Sequence, residues 1–276
     1  MFGRDEIDLY WSKAGGSSVV LVAHGLGGHV HRPYVKGMVR ALNAAGLDAC
    51  AWHVWGTDDV CNLPPFCYHG GYTGGLRAIV QHLIAGSETV GLVGFSLGGN
   101  VVLKYLGEEG DGSGVAAAVT LSVPCDLKAS ASALGRAGNR VIEDSFLKTL
   151  KRRVRVTSDQ DPTVSTEALS DVDSIVAYDD LYTAPLNGFS GADDYYDQSN
   201  SLQYIEHIRT PTLLVNAVND PFLTASCFPT ELCRSHPLVD LEMPRSGGHV
   251  GFPLGRGIYW SEERASTFLH QHIKRG

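Results

Sequence analysis

Ser96 stands at the centre of Gly94-Phe95-Ser96-Leu97-Gly98, a pentapeptide that can expose a serine hydroxyl at a sharp strand-to-helix turn. The apolar run 90–95 before it reads as a central strand, and residues 100–106 after it read as the start of a helix. Glycines at 94 and 98 let strand and helix approach closely. A serine hydroxyl is a poor nucleophile until a base takes its proton. Two downstream residues could complete that chemistry. Asp220 follows the apolar run 213–218, and His249 follows the run 239–243 across Ser246-Gly247-Gly248. An imidazole can take the serine proton as the oxygen attacks a carbonyl, then return it to the leaving group. A carboxylate holds that imidazole in one tautomer. A serine that merely caps a helix is the simpler reading of the pentapeptide alone. Three such residues at the carboxyl ends of expected strands, where open parallel sheets place their ligands, are a candidate triad in the order Ser, Asp, His. Asp126 ends another strand-like run and is the alternative acid. Asp220 is preferred because its strand adjoins the one leading to His249, whereas Asp126 precedes a helical pattern that it can cap.

His24-Gly25-Leu26-Gly27-Gly28 follows the strand-like run 19–23. Attack on a carbonyl collects negative charge on its oxygen, and fixed backbone N–H groups aimed there lower the barrier. The backbone N–H groups of Leu26 and Leu97 are the candidate donors, with glycines around Leu26 allowing close approach to substrate. A nucleotide loop is the other reading of a glycine-rich turn, but neither G-x-x-x-x-G-K-[ST] nor G-x-G-x-x-G is present there.

The elements that must hold these residues alternate along the chain. Strand-like runs at 7–11, 48–55 and 115–123 join those already named. Val35, Met38, Val39 and Leu42 have helical spacing, as do Leu76, Ile79, Val80, Leu83 and Ile84, and Ala265, Phe268, Leu269 and Ile273 give a closing helix one apolar face. Such alternation predicts an α/β fold with a mostly parallel central sheet flanked by helices. Between Asp126 and Thr210 the strand pattern stops. Residues of about 127–210, with helical stretches at 127–134 and 141–156 and the aromatic-acidic stretch Phe189, Asp193, Asp194, Tyr195 and Tyr196, are expected to form a helical cap over the serine. The 276 residues suit a single domain, 1–276, carrying that insertion.

The net charge of −8 argues against a nucleic-acid partner, since phosphate binding calls for a surplus of basic residues. The basic cluster Lys148, Lys151, Arg152, Arg153 and Arg155 reads as a solvated helix face, with a phosphate or membrane-surface role as the alternative. No segment is long and apolar enough for integral membrane association, and Met1 to Glu6 lacks the apolar core of a signal peptide, so a cytoplasmic location is expected. The six cysteines, at 50, 61, 67, 125, 227 and 233, form no C-x-x-C pair and read as free thiols. Neither a cofactor nor a metal is expected.

Four stretches together resemble the YheT-like branch of the α/β-hydrolases, the AB hydrolase-4 type. They are Gly94-Phe95-Ser96-Leu97-Gly98-Gly99-Asn100; Asp180 to Phe189 with Asp194-Tyr195-Tyr196; Asn219-Asp220-Pro221-Phe222; and Gly247-Gly248-His249-Val250-Gly251-Phe252. The resemblance runs from the first glycine loop to the C-terminus. It implies an α/β-hydrolase fold with Ser96 as nucleophile, Asp220 as acid and His249 as base. The chain departs from the family pattern at His53-Val54-Trp55-Gly56-Thr57-Asp58-Asp59, where relatives carry an N-x-R-G-C-like turn, and its N-terminus is shorter than theirs.

The expected activity is that of a carboxylesterase-like serine hydrolase, cleaving a small-molecule or lipid acyl ester through an acyl-enzyme. The alternatives are an acyltransferase that makes esters from an acyl donor and an alcohol, and a non-catalytic binding module on a hydrolase scaffold.

Overall fold

Seven strands form one sheet in the computed structural model, which describes residues 7–53, 68–255 and 257–273. They are β1 (Asp8–Ser12), β2 (Ser18–Ala23), β3 (Asp48–His53), β4 (Thr89–Phe95), β5 (Ala117–Leu121), β6 (Thr212–Val215) and β7 (Val239–Glu242). Their spatial order is β1-β3-β2-β4-β5-β6-β7. The edge strand β1 runs antiparallel to β3, and the other pairs are parallel. The middle of the sheet is covered on both faces, which is why β2, β4 and β5 read as continuous apolar runs rather than as alternating ones.

Helices α1 (Pro33–Ala44) and α10 (Trp260–Ile273) cover one face. Val35, Met38 and Leu42 meet Phe268, Leu269 and Ile273 there in a core with Val20, Val22 and Val93. Helices α2 (Thr73–Gly86) and α3 (Leu97–Glu109) cover the other, burying Leu76, Ile79 and Leu83 against Val101 and Leu103. Apart from Val101 and Leu103 and the strand residues, these are apolar positions whose spacing predicted the helices, whereas Ile84, expected on the same face of α2, is exposed.

Between β5 and β6 the described residues are helical or irregular: α4 (Leu127–Leu134), α5 (Arg140–Gln160), α6 (Ile175–Tyr178), a π-helical turn (Asp179–Thr183), α7 (Ala184–Leu186) and α8 (Ala192–Ser199). Helix α9 (Thr230–Ser235) lies between β6 and β7. Buried Asn100 ties the insertion to α3. Its amide donates to the carbonyls of Gly70 and Ser199, both at 2.8 Å, and its side-chain oxygen accepts from the Ser201 N–H at 3.0 Å. Lys148, Arg152 and Arg155 lie on the exposed side of α5.

Two strands are shorter than their apolar runs. β5 ends at Leu121 because Ser122 takes a positive φ of 55°. Beyond Val215, the Asn216 side chain accepts the Val123 N–H at 2.7 Å and donates to the Val123 carbonyl at 3.0 Å, so a side chain replaces the ladder. The run expected at 48–55 is strand through His53, and Val54 and Trp55 lie outside the described residues. So do the rest of the departing turn through Asp59, Cys61, Cys67 and Met1 to Glu6. Cys50, Cys125, Cys227 and Cys233 are buried free thiols, and burial pushes the Cys50 thiol up to about 12.

Glycine is required where β4 turns into α3. A Cβ at Gly98 would lie 2.5 Å from the His24 carbonyl oxygen, and one at Gly94 would lie 2.6 Å from the Gly99 Cα. Both obstacles are backbone and cannot swing aside. Gly98→Ala is expected to cost about 1–3 kcal/mol of stability through this overpacking, read as a lower midpoint in denaturant unfolding. An unchanged midpoint would show that the turn relaxes freely.

Candidate active site

The turn at the end of β4 holds Ser96 at φ 52° and ψ −122°, a conformation that costs a non-glycine residue of order 1–3 kcal/mol. Gly25 packs directly on it, since a Cβ there would stand 2.9 Å from the Ser96 Cβ. Strain and close packing together fix where the hydroxyl points.

His249 reaches Ser96 from the loop after β7. Its Nε2 lies 2.9 Å from Ser96 Oγ, and its Nδ1 lies 2.8 Å from Asp220 Oδ2. A carboxylate can only accept, so Nδ1 carries the proton and Nε2 is left to accept the Ser96 O–H. Asp220 is itself held, because its Oδ1 accepts the Phe222 N–H at 3.0 Å and its side chain is buried. The Phe222 ring lies 4.5 Å from the imidazole between centroids. The structure therefore brings Ser96, His249 and Asp220 into one hydrogen-bonded line from three separate strand ends.

Two positioning residues were not singled out from the sequence. Asn219 Oδ1 accepts the N–H groups of Gly247 and Gly248, each at 2.9 Å, and so clamps the histidine loop to the aspartate loop. Ser122 Oγ accepts the Val250 N–H at 2.9 Å, and both residues hold a φ of 55°. Asn219 has a local signal in its Asn-Asp-Pro turn. Ser122 has none, because its partner is 128 positions away.

Asp126 does something else. It is the N-cap of α4, and its Oδ1 accepts the Ala129 N–H at 3.0 Å.

Leu26 and Leu97 border the same cavity as Ser96. Leu97 is the first residue of α3, where an N–H has no acceptor within the helix and the helix dipole favours negative charge. The loop carrying Leu26 is braced by a Gly28 N–H to Gly25 carbonyl bond of 3.0 Å and by Gly27 at φ 63°. Beneath it His24 is buried, its Nδ1 2.9 Å from the Gly25 carbonyl oxygen. Burial lowers its pKa to about 4, so the ring is neutral at ordinary pH.

Ser96 and His249 open into a cavity whose empty space, counted together with its opening to solvent, is about 750 Å³. Its walls come largely from the insertion, among them Leu127 and Leu134 of α4 and Phe146 and Leu150 of α5. Of the aromatic residues expected to matter, Tyr195 and Tyr196 line this space, whereas Phe189 packs against His69 and Tyr195. Asp193 and Asp194 are not among its lining residues, and Asp194 accepts the Ser190 N–H instead. Among the described residues no group of three or more His, Cys, Asp or Glu is placed to hold a metal ion, and no helix is long and apolar enough to cross a membrane.

The comparisons with known proteins agree with this architecture. A family model described as serine aminopeptidase, S33 (Hydrolase_4) matches residues 16–227. The chain is 31% identical over 283 aligned positions to the YheT protein of Escherichia coli (strain K12), whose name carries a provisional esterase assignment. That alignment covers 98% of this chain and 83% of YheT. It is 30% identical to a monoacylglycerol lipase of Saccharomyces cerevisiae over 91% of this chain, but spans only 58% of that longer protein. In structure it resembles the Pyrococcus furiosus esterase Pf2001 with a TM-score of 0.63 and 16% identity, covering 97% of this chain and 88% of that one, a likeness of fold. The sheet order, the strained serine turn and these matches define a hydrolase: the chain belongs to the YheT-like α/β-hydrolases of that S33 family.

Proposed function

We propose that the protein is a serine carboxylester hydrolase working through an acyl-enzyme, with Ser96 as nucleophile, His249 as general base and acid, and Asp220 as the acid of the triad. The observation that carries this reading is the unbroken hydrogen-bonded line from Asp220 through His249 to Ser96, ending in a largely apolar cavity. Ser96 Oγ attacks the ester carbonyl carbon while His249 Nε2 takes its proton. The charge on the former carbonyl oxygen is met by the N–H groups of Leu26 and Leu97. Collapse breaks the carbon–oxygen bond, and the imidazolium returns the proton to the departing alcohol. Water then attacks the acyl-serine with His249 again as base, releasing the acid and restoring Ser96. In this reading the chain works as one hydrolase domain and the insertion of about 127–210 is its cap, excluding bulk water from the carbonyl.

The apolar cavity supports a substrate with a hydrocarbon acyl chain, and the names of the esterase and lipase relatives point the same way. Turnover of p-nitrophenyl esters from two to sixteen carbons tests it. The expected result is saturable hydrolysis that improves as the chain lengthens from two carbons. No turnover at any length would refute the assignment.

A further inference from the structure

One wall of the cavity does not suit a plain hydrocarbon. Asp179 lines the same space as Ser96, on the π-helical turn that follows α6, among Leu134, Leu150, Ile175 and Tyr178. A carboxylate among such groups loses water without gaining an equal partner. Leucine would fill the position at no such cost. The carboxylate is nevertheless held firmly, one donor to each oxygen. Thr183 Oγ1 donates to Oδ1 at 2.6 Å, and the Tyr196 hydroxyl donates to Oδ2 at 2.7 Å. Thr183 and Tyr196 also line the cavity. Among the described residues no lysine or arginine pairs with Asp179. Burial raises its acid to about 6 in spite of the two donors.

A carboxylate offers about four lone-pair sites, so each oxygen keeps room for another donor. Asp179 belongs to the insertion, is only half-buried, and is one of the residues that line the cavity. The turn that carries it is itself a local departure from α-helix, a feature frequent at functional sites. A second polar group waits nearby in the lining: the Tyr68 hydroxyl is buried and has no hydrogen-bond partner among the described residues.

We infer that Asp179, anchored by Thr183 and Tyr196, is a subsite that accepts a hydrogen bond from a hydroxyl group carried by the substrate, and so selects hydroxyl-bearing esters over plain ones. The inference rests on the ester-hydrolase reading above and deepens it. A hydroxyl is favoured over an ammonium because the surrounding wall is aliphatic and aromatic, and a neutral donor loses far less on leaving water than a cation does.

The test uses two matched pairs of esters: p-nitrophenyl octanoate with p-nitrophenyl ω-hydroxyoctanoate, and butyl octanoate with ω-hydroxybutyl octanoate. The first pair places the hydroxyl on the acyl half and the second on the alcohol half. For each pair, kcat/KM of the hydroxylated ester is divided by that of the plain ester, in the unaltered protein and in Asp179→Leu, Asp179→Asn and Tyr196→Phe. In one pair the ratio is expected to fall roughly ten- to a hundredfold in Asp179→Leu, mainly through KM of the hydroxylated ester, as for loss of a hydrogen bond to a charged group. Asp179→Asn, which preserves shape if the leucine variant does not fold, should show a smaller fall in the same pair. Tyr196→Phe removes a brace but keeps the carboxylate, and should hold the ratio. Ratios unchanged in both pairs in a folded Asp179 variant that still cleaves plain esters would overturn the inference and leave Asp179 as a strut. A larger preference for an ω-amino ester, lost in the same variants, would also overturn it by making a cation the group that is read. Inactivity of the unaltered protein toward all four esters would instead remove the proposed function, and this inference with it.

Discussion

Purified Ser96→Ala protein is expected to unfold at an unchanged temperature and to hydrolyse esters some 10⁴- to 10⁶-fold more slowly than the unaltered protein. The large effect follows from the position of the lost atom. Ser96 Oγ is the group 2.9 Å from His249 Nε2, and in the proposed mechanism it forms the bond to the acyl carbon. The fold should survive for a separate reason. Alanine keeps the Cβ against which Gly25 packs, so the tight backbone approach of the two loops is unaltered. The φ of 52° is no worse for alanine than for serine. Steady-state kinetics on an ester cleaved by the unaltered protein, with a thermal melt of both proteins, checks the two halves together. Substantial turnover by folded Ser96→Ala protein would exclude Ser96 as nucleophile.

Asp220→Asn should keep the fold and lower kcat by about 10⁴, while Asp126→Asn should leave kcat within a few-fold of its starting value. An asparagine at 220 can present an N–H to His249 Nδ1, which turns the imidazole into the tautomer that protonates Nε2 and so blocks acceptance of the Ser96 proton. The loop around it stays braced, because Asn219 still clamps Gly247 and Gly248. At 126 the carboxylate caps α4 through the Ala129 N–H, and asparagine is about as good an N-cap as aspartate. Comparing kcat of the two variants under the same conditions decides between the carboxylates. The opposite ranking would mean that Asp126, and not Asp220, serves the histidine.

Much of this arrangement is legible in the chain because its signals are local. Val19 to Ala23 and Val90 to Phe95 carry no polar side chain, and Val115 to Val123 carries only Thr120 and Ser122, since the middle strands of a parallel sheet are covered on both faces. Leu127 to Leu134 was expected as a helix and is one, and the 141–156 pattern lies within α5. Ser96 and Asp220 stand out because each follows an apolar run and His249 because it follows the short run Val239 to Met243, and the fold only had to bring the run ends together. Contacts between distant residues were not legible. Nothing near Ser122 announces that its hydroxyl holds the Val250 N–H, and nothing near Asn100 announces that its amide joins Gly70 to Ser199. Strand ends were overestimated where a side chain or a strained residue replaced the ladder, as at Asn216 and Ser122. Asp179 was invisible for another reason. In a sequence, an aspartate beside another aspartate reads as a solvated helix face, and only the packing of the insertion shows that it lines the cavity.

Whether Ser96 is an activated nucleophile in an ester-cleaving site is decided by mixing the protein with a fluorophosphonate and locating the adduct by mass spectrometry of its peptides. One covalent phosphonyl group per chain is expected, on the peptide containing Gly94-Phe95-Ser96-Leu97-Gly98, with no such adduct in Ser96→Ala protein. An unlabelled Ser96 in protein that hydrolyses esters, or an adduct on another residue that abolishes that activity, would contradict it.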